Sequence, residues 1–340
     1  PHGADPDDNV RDYILGRRDG VPKTPEWATR ISGVSAPRIR RLARRIARAR
    51  RAALLTAWAP ARTHNTDSWP QMFLTLGCMT GHIGEPGRMT GVSCWERTAD
   101  GGPFLIGAGG SGAPSRRRAP RRTNARINNS EIWQAVLEGE YTAGEGERRK
   151  VDLRAIIHDG ASALNQTSGL MKGIEAHRRV DFVLTLNFVY NTNARYSDIV
   201  LPVTTQWERH SYFKGNRDHL TWARRVVEPQ YESRDDSWIG AELGRRLGFD
   251  PAEMLPLSPE QEEFNRLAGA WVVSPDGGER ENLVAITADD IQKMGVQGQP
   301  QEGRISLAEF REKGIYVVPR TPGDGLGHVA FADFRQDPQG

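Results

Sequence analysis

Cysteine is nearly absent. The 340 residues contain two, Cys78 and Cys94, too few for a disulfide framework or for an iron-sulfur cluster held by cysteines of this chain alone. A single disulfide between them stays open, and a pair of buried thiols is the plainer expectation. No apolar run approaches the ~20 residues that cross a bilayer. The opening "PHGADPDDNV" has neither the basic start nor the apolar middle of a secretory signal. Because the chain opens on Pro1 and not on methionine, we expect a processed or truncated start, and the missing signal says little about targeting. Metal-ligand spacings are missing too: there is no CxxC, no HExxH and no close cluster of His and Cys. Ser111, Ser162 and Ser168 lie near glycines, but none sits in G-x-S-x-G, so the hydrolase signature is lacking. The GxGxxG dinucleotide fingerprint is also absent. An excess of one charge sign is lacking as well: 46 basic against 43 acidic residues give +3, a balance that does not itself call for nucleic acid.

Glycine and proline, at 36 and 21 residues, point to a loop-rich chain, and the spread of 9 Trp and 10 Phe argues against disorder throughout. Thr24 caps and Pro25 opens an expected helix that ends at Gly33. A second starts at Ser35 with Ile39, Leu42, Ala43 and Ile46 on one face. Its arginines, Arg38 to Arg51, then fall on the opposite face, either solvated or meeting phosphate or an acidic partner. "AALLTAW" at 52–58 reads as a buried strand and 69–79 as a helix ending at Gly81. The following "TGHIGEPGR" concentrates glycine around Pro86, so its backbone passes close beside either a ligand or another backbone. Residues 99–126, with "GAGGSGAPSRRRAPRR", read as a long loop and a poor core former. Asn129 or Ser130 is expected to cap a helix carrying Trp133 and Val136. "EGEYTAGEGERRK" after it is polar and interrupted by glycine. Further on, Ser233 with Asp236, Ser258 with Gln261, Thr287 with Asp290 and Ser306 with Glu309 have the spacing of helix caps. The Pro- and Gly-punctuated tail from 317 reads as a linker or a domain edge.

The centre carries most information. Residues 151–160, 180–187 and 197–203 read as strands, with a helix over 169–179 between the first two, an order that predicts parallel pairing. Polar segments at 159–166 and 187–193 then stand beyond strand ends, where open parallel sheets bind ligands. "HDGASALNQTSG" offers backbone amides, hydroxyls and the amides of Asn165 and Gln166 to such a ligand. A carboxylate at Glu208 suits either an arginine of its own loop, Arg209 or Arg217, or a guanine-like donor edge.

Several segments, taken in order, are more specific: "DGVPKTPEWATRISGVSAPRIRRLARRIA", "LGCMTGHIGEPG", "ALNQT", "NARYSDIVLPVTTQWER" and "VVEPQYESRDDSWIGAELGRRLG". Together they resemble the central portion of the catalytic subunit of dimethyl sulfoxide reductase-type molybdopterin oxidoreductases. The resemblance covers 10–250 well and the tail more loosely. It implies an α/β fold of parallel-sheet nucleotide-binding domains, incomplete at both ends. Residues 1–75 would finish one such domain, 76–250 would supply the returning half of a second, and 251–340 would lead toward a further domain. It also implies a bis-molybdopterin guanine dinucleotide cofactor with molybdenum, and a 4Fe-4S cluster bound by a segment outside this chain. Thr80, Gly81, His82 and Gly84 would approach the cofactor region; Gly160, Ser162, Asn165 and Gln166 would lie beside the dinucleotide phosphates. Asn187, Thr192, Asp198 and Glu208 would surround its ribose, guanine or supporting loop. The implied activity is reduction of a small S-oxide or N-oxide by oxygen-atom transfer, as in anaerobic respiration. The implied partners are an iron-sulfur electron-transfer subunit and a membrane anchor subunit, on the periplasmic or cell-envelope side, without nucleic acid. Two departures stand out: "DGASALNQ" replaces the "GGNP" of relatives, and Asn187 replaces an Asp. No residue is nominated as a molybdenum ligand, and no catalytic residue is assigned. The competing expectation is a non-catalytic scaffold that retains the fold.

Overall fold

A computed structural model describes residues 9–56, 68–93, 103–113, 126–160, 162–274 and 277–337. Its segments gather into two compact units: the described residues within Pro1–Thr56, Ser68–Cys94 and Val329–Gly340 form one, and those within Trp95–His328 the other.

In the larger unit the apolar run Phe182–Asn187 is the central strand of a three-stranded parallel sheet, flanked by Ala155–Asp159 and Ile199–Pro202. A strand covered on both faces must be apolar almost continuously, and Val183, Leu184 and Leu186 are all buried. The register sets Asp159 opposite Leu186 and Asn187 opposite Pro202, so the three carboxyl ends lie level. Helices Ala163–Gln166 and Leu170–Arg179 connect the first strand to the central one, and helix Thr192–Arg195 connects the central strand to the third. One apolar cluster packs Leu164, Ile174 and Ala176 of the crossover against Trp133 and Val136 of helix Ile132–Glu138. A separate cluster joins Leu184, Leu186, Val203 and Ile239.

The rest of this unit is largely antiparallel. Strand His219–Arg224 pairs with Ser211–Gly215 and Ile315–Val317, and Trp271–Val273 pairs with Arg280–Asn282 and Ile106–Gly107. Their inner faces and helices Pro259–Ala268 and Leu307–Lys313 bury the main core around Ile106, Leu220, Leu267, Val272, Leu283 and Phe310. The fold is therefore α/β with mixed sheets, and the expected parallel arrangement is confined to shorter pieces than the sequence implies. Leu105 and Ile106 correct another expectation: two apolar residues carry part of the 99–126 segment into the core, while 115–122 lies outside the described residues. "EGEYTAGEGERRK" contains a hairpin, Glu140–Thr142 against Arg148–Lys150. Val318, in the tail, is buried as well.

The smaller unit holds a parallel pair, Ala53–Thr56 and Met89–Ser93, with helix Trp69–Thr80 between them in sequence. Helix Pro25–Ser32 begins at the Thr24 cap and stops at Gly33, as its residues predict. Helix Ala36–Arg48 differs from expectation, because none of its residues is buried and Leu42 is 58% exposed. Cys78 is an exposed free thiol and not a buried one; Cys94 lies outside the described residues. Thr287 with Asp290 completes a reciprocal capping box, and Ser258 and Ser306 cap as expected. Helix Asp236–Arg246 is capped by Asp235 in place of Ser233, and helix Ile132–Glu138 has no side-chain cap from Asn129 or Ser130.

Gly173 fixes how closely helix Leu170–Arg179 approaches its neighbours. A Cβ there would stand 2.6 Å from Leu164 Cδ2 and 3.1 Å from the Trp133 indole. Gly240, in helix Asp236–Arg246, faces open space. We expect Gly173→Ala to lower unfolding free energy by about 1–3 kcal/mol through overpacking. Gly240→Ala should be neutral or stabilising by up to ~1 kcal/mol. Chemical denaturation of the two variants beside the parent checks the pair; equal stabilities would contradict the packing.

Candidate functional site

Beyond the level carboxyl ends of the parallel sheet, two loops meet. Gly160 follows the first strand with φ +66, a conformation that glycine supplies without Cβ strain, and open space surrounds the position of its missing Cβ. Its N–H donates to the Leu186 carbonyl at 3.1 Å, which turns the chain across the end of the central strand. The short helix Ala163–Gln166 then starts, with Ser162 half-buried at its head and Asn165 and Gln166 exposed. From the neighbouring loop, Asn191 caps helix Thr192–Arg195 by accepting the Ala194 N–H. Asn193, fully buried, accepts the Leu164 N–H on its Oδ1 at 3.0 Å. That bond ties the loop after the first strand to the loop after the central one. Gly160, Ser162, Asn165, Gln166, Asn187 and Thr192 thus share one edge.

The backbone donors of this edge are largely spent inside the protein. The amides of Asn165 and Gln166 donate to the Ser162 carbonyl, and that of Thr167 to the Ala163 carbonyl. Of the backbone amides, hydroxyls and side-chain amides that the sequence offers here, these backbone amides are already used within the protein. Asn187 is buried, with Oδ1 accepting the Val189 N–H. The next three residues, Phe188, Val189 and Tyr190, are 62%, 51% and 68% exposed. A row of exposed apolar and aromatic side chains beside polar amides suits a flat ring. Neither these residues nor Asn193 was singled out from the sequence. The available signal was "NFVYN", an apolar run continuing past a strand end where a solvated turn would be polar.

Asp198 and Glu208 do other work. Asp198 precedes the third strand, at the amino edge of the sheet, and its carboxylate accepts the Val183 N–H at 2.7 Å. That places it at the opposite end from the strand-end loops; of the ribose, guanine or supporting-loop positions expected for it, a supporting one suits this bond. Glu208 accepts the Thr205 N–H and hydroxyl on one oxygen and the Gln230 N–H on the other. These bonds, led by the Thr205 amide, hold its carboxyl below the usual range and consume the lone pairs a guanine edge would need. The supporting-loop role is the one its geometry serves, through backbone amides and not through Arg209 or Arg217.

Thr80, Gly81, His82 and Gly84 belong to the smaller unit. The Thr80 hydroxyl donates to the Leu76 carbonyl, and Gly81 caps its helix with φ +71. His82 Nε2 donates to the Ile46 carbonyl at 2.7 Å, and its Nδ1 is buried without a partner among the described residues. At Gly84 a Cβ would meet Arg335 Cβ at 2.7 Å and the Phe331 carbonyl at 2.8 Å. Arg335 also donates to the Ile83 carbonyl and pairs with Glu85. What comes close to the glycine-rich loop is therefore the protein's own segment, helix Ala332–Gln336 and the residue before it.

Beneath the larger unit's edge, His158 of the first strand and His177 of helix Leu170–Arg179 are buried and stacked, their Nε2 atoms 2.8 Å apart. His177 Nδ1 donates to the Gly173 carbonyl, so its Nε2 accepts and His158 Nε2 donates. Among the described residues, no group of three or more His, Cys, Asp or Glu side chains is placed to hold a metal ion. The donors present are neutral hydroxyls and amides flanked by aromatic surface, a set that fits an oxygen-rich organic group with a planar ring.

The profile of the family described as Molybdopterin oxidoreductase matches residues 39–246, more than half of the chain. The chain belongs to that family. It is 31% identical to trimethylamine-N-oxide reductase 1 of Escherichia coli O157:H7 over 253 residues, 71% of this chain and 30% of that protein. It is 28% identical to the dimethyl sulfoxide/trimethylamine N-oxide reductase of Cereibacter sphaeroides over 339 residues, 96% of this chain and 38% of that one. The trimethylamine-N-oxide reductase of Vibrio cholerae is 29% identical over 349 residues, with the same shares covered. The chain thus spans about a third of the length of these relatives. Among solved structures, acetylene hydratase from Pelobacter acetylenicus aligns with a TM-score of 0.36 and 16% identity over 62% of this chain and 25% of its own, too loose a likeness to bear on the reading.

The histidine pair gives the site's foundation a pH dependence. Burial, with His177 alongside, pushes His158 from the ordinary 6.5 down to about 4, and burial lowers His177 as well. Both folded values lie below the unfolded one, so the unfolded chain binds more protons between them. The pair's contribution is complete above the unfolded value of 6.5 and is lost as pH falls toward about 4. Thermal melting from pH 7.5 to 4.5 should show a declining midpoint, with a shallower slope in His158→Gln; identical slopes would contradict the assignment.

Proposed function

We propose that this chain is the central part of a molybdenum oxidoreductase that binds bis-molybdopterin guanine dinucleotide and reduces a small S-oxide or N-oxide by oxygen-atom transfer. The observation that carries the reading is the shared strand-end edge, two polar loops tied by Asn193 and Leu164, inside the span matched by the family profile. The bound cofactor would supply the two-electron redox centre. Ser162, Asn165, Gln166, Asn187 and Thr192 would donate hydrogen bonds to its nucleotide portion, and the turn at Gly160 would leave room for it. Phe188 and Tyr190 would cover a ring and shed water from it. Thr80, Gly81, His82 and Gly84, with Asp198 and Glu208, are assigned to the frame that supports the cofactor-binding domains.

The overall reaction consumes two electrons and two protons and releases a sulfide or amine and water. An electron-transfer partner must therefore be present, and we propose an iron-sulfur subunit and a membrane anchor at the cell envelope, with a 4Fe-4S cluster bound outside this chain. Among the described residues no helix is long and apolar enough to cross a membrane. Reduced S-oxides and N-oxides in the names of the relatives motivate the substrate class.

Molybdenum and acid-released guanine nucleotide, measured in the longest native form of the protein, test the reading. We expect both, in a ratio of about two nucleotides per metal, the ratio set by a bis-dinucleotide cofactor. Absence of both after production under conditions that load a related reductase would leave the non-catalytic scaffold as the better account.

A further inference from the structure

The smaller unit carries a helix whose charges have little to meet. Helix Ala36–Arg48 reads APRIRRLARRIAR, six arginines and no acidic residue in 13 positions. At 3.6 residues per turn the arginines fill one continuous arc, and Ile39, Leu42, Ala43 and Ile46 fall on the other. Arg40 is committed to Glu26, which it grips with two guanidinium nitrogens at 2.6 and 2.9 Å. Arg45 and Arg48 stand in the last turn, where the helix dipole favours a cation. The other three have no such account. Arg38 lies in the first turn, where the dipole disfavours a cation, and Arg41 and Arg44 follow at spacings of three, so that like charges adjoin along the helix. Arg38, Arg41, Arg44, Arg45 and Arg48 are all exposed, and none forms an ion pair or a side-chain hydrogen bond among the described residues. Leu42, one turn from both Arg38 and Arg45, is 58% exposed, with Ala43 exposed beside it. Repulsion along such an arc is relieved when an anionic surface approaches it.

We propose that this helix docks on an anionic lipid surface, with its arginines at the headgroup phosphates and Leu42 turned into the layer beneath them. Two features select lipid over other anions. Arginine forks match phosphate oxygens, and a free polyanion would satisfy them, but it offers no apolar phase to Leu42; the boundary between headgroups and acyl chains offers both. The helix is also a ridge about 20 Å long, with none of its residues buried. A bilayer meets such a ridge along its whole length, whereas peptide partners commonly use a groove or a sheet edge.

The test is cosedimentation of the full chain with vesicles, one set of pure phosphatidylcholine and one carrying about a third phosphatidylglycerol. Binding should be confined to the anionic set and should fall steeply as salt screens the surface. Each arginine near such a surface contributes about fivefold, so Arg38→Gln combined with Arg41→Gln should weaken binding about 25-fold. Arg178→Gln combined with Arg179→Gln removes the same charge from the exposed end of helix Leu170–Arg179 and should stay within about twofold of the parent. Leu42→Gln should weaken binding about fivefold through lost apolar burial. Every substituted residue is exposed, and unchanged melting temperatures verify that the variants fold. Failure to bind the anionic vesicles, equal losses from the two arginine pairs, or a Leu42→Gln protein as tight as the parent would each overturn the proposal. So would displacement of the protein from the vesicles by polyglutamate at matched charge, which would assign the helix to an acidic protein partner.

Discussion

A single buried amide holds the candidate site together. Asn193 has no exposed surface, and its side-chain carbonyl takes the N–H of Leu164 from a loop 29 residues earlier in the chain. Leu164 is itself sealed in the cluster with Trp133 and Ile174, so the bond connects a surface loop to packed apolar structure. Losing either partner would leave a buried polar group unsatisfied, a penalty of about 1–3 kcal/mol. Through this contact the loops after two adjacent strands form one surface, and the level register of the three strands gives that surface its floor.

Around this edge, polar residues divide between holding the frame and facing outward, and residue type does not reveal which. Asp198 and Glu208 carry the charges that a sequence reader gives to a ligand, yet both spend them on backbone amides. His158 and His177 spend their nitrogens on each other and on a helix carbonyl. Asn165 and Gln166 are exposed at this edge, beside the exposed Asp159, Phe188 and Tyr190. Burial accounts for Glu208, because a buried carboxylate is tolerated only where donors converge on it, whereas Asp198 is exposed.

Much of the edge was legible from residues 151–203, since short apolar runs separated by polar turns leave few alternatives to a parallel βαβ order. The caps at Thr24, Ser258, Thr287 and Ser306 were legible for the same local reason, a side-chain oxygen three residues from its amide. Long-range pairings were not. Ile106 entering the core against Val272, or Arg335 crossing to Ile83, leaves no periodic trace. Proximity at "TGHIGEPGR" was readable from its glycines, but the neighbour's identity was not, and it proved to be the chain itself at Phe331 and Arg335. The commitment of Asn187 Oδ1 to Val189 is likewise a matter of loop geometry that composition does not encode.

Amide hydrogen exchange with and without guanosine diphosphate measures the central claim most directly, because it reports where a nucleotide lands without assuming any contact. Peptides covering 160–167 and 187–195 should gain protection together, with the remaining parts of the larger unit unchanged. Protection appearing in only one of these loops, or centred on the amino edge around Asp198, would contradict a cofactor edge built by the pair.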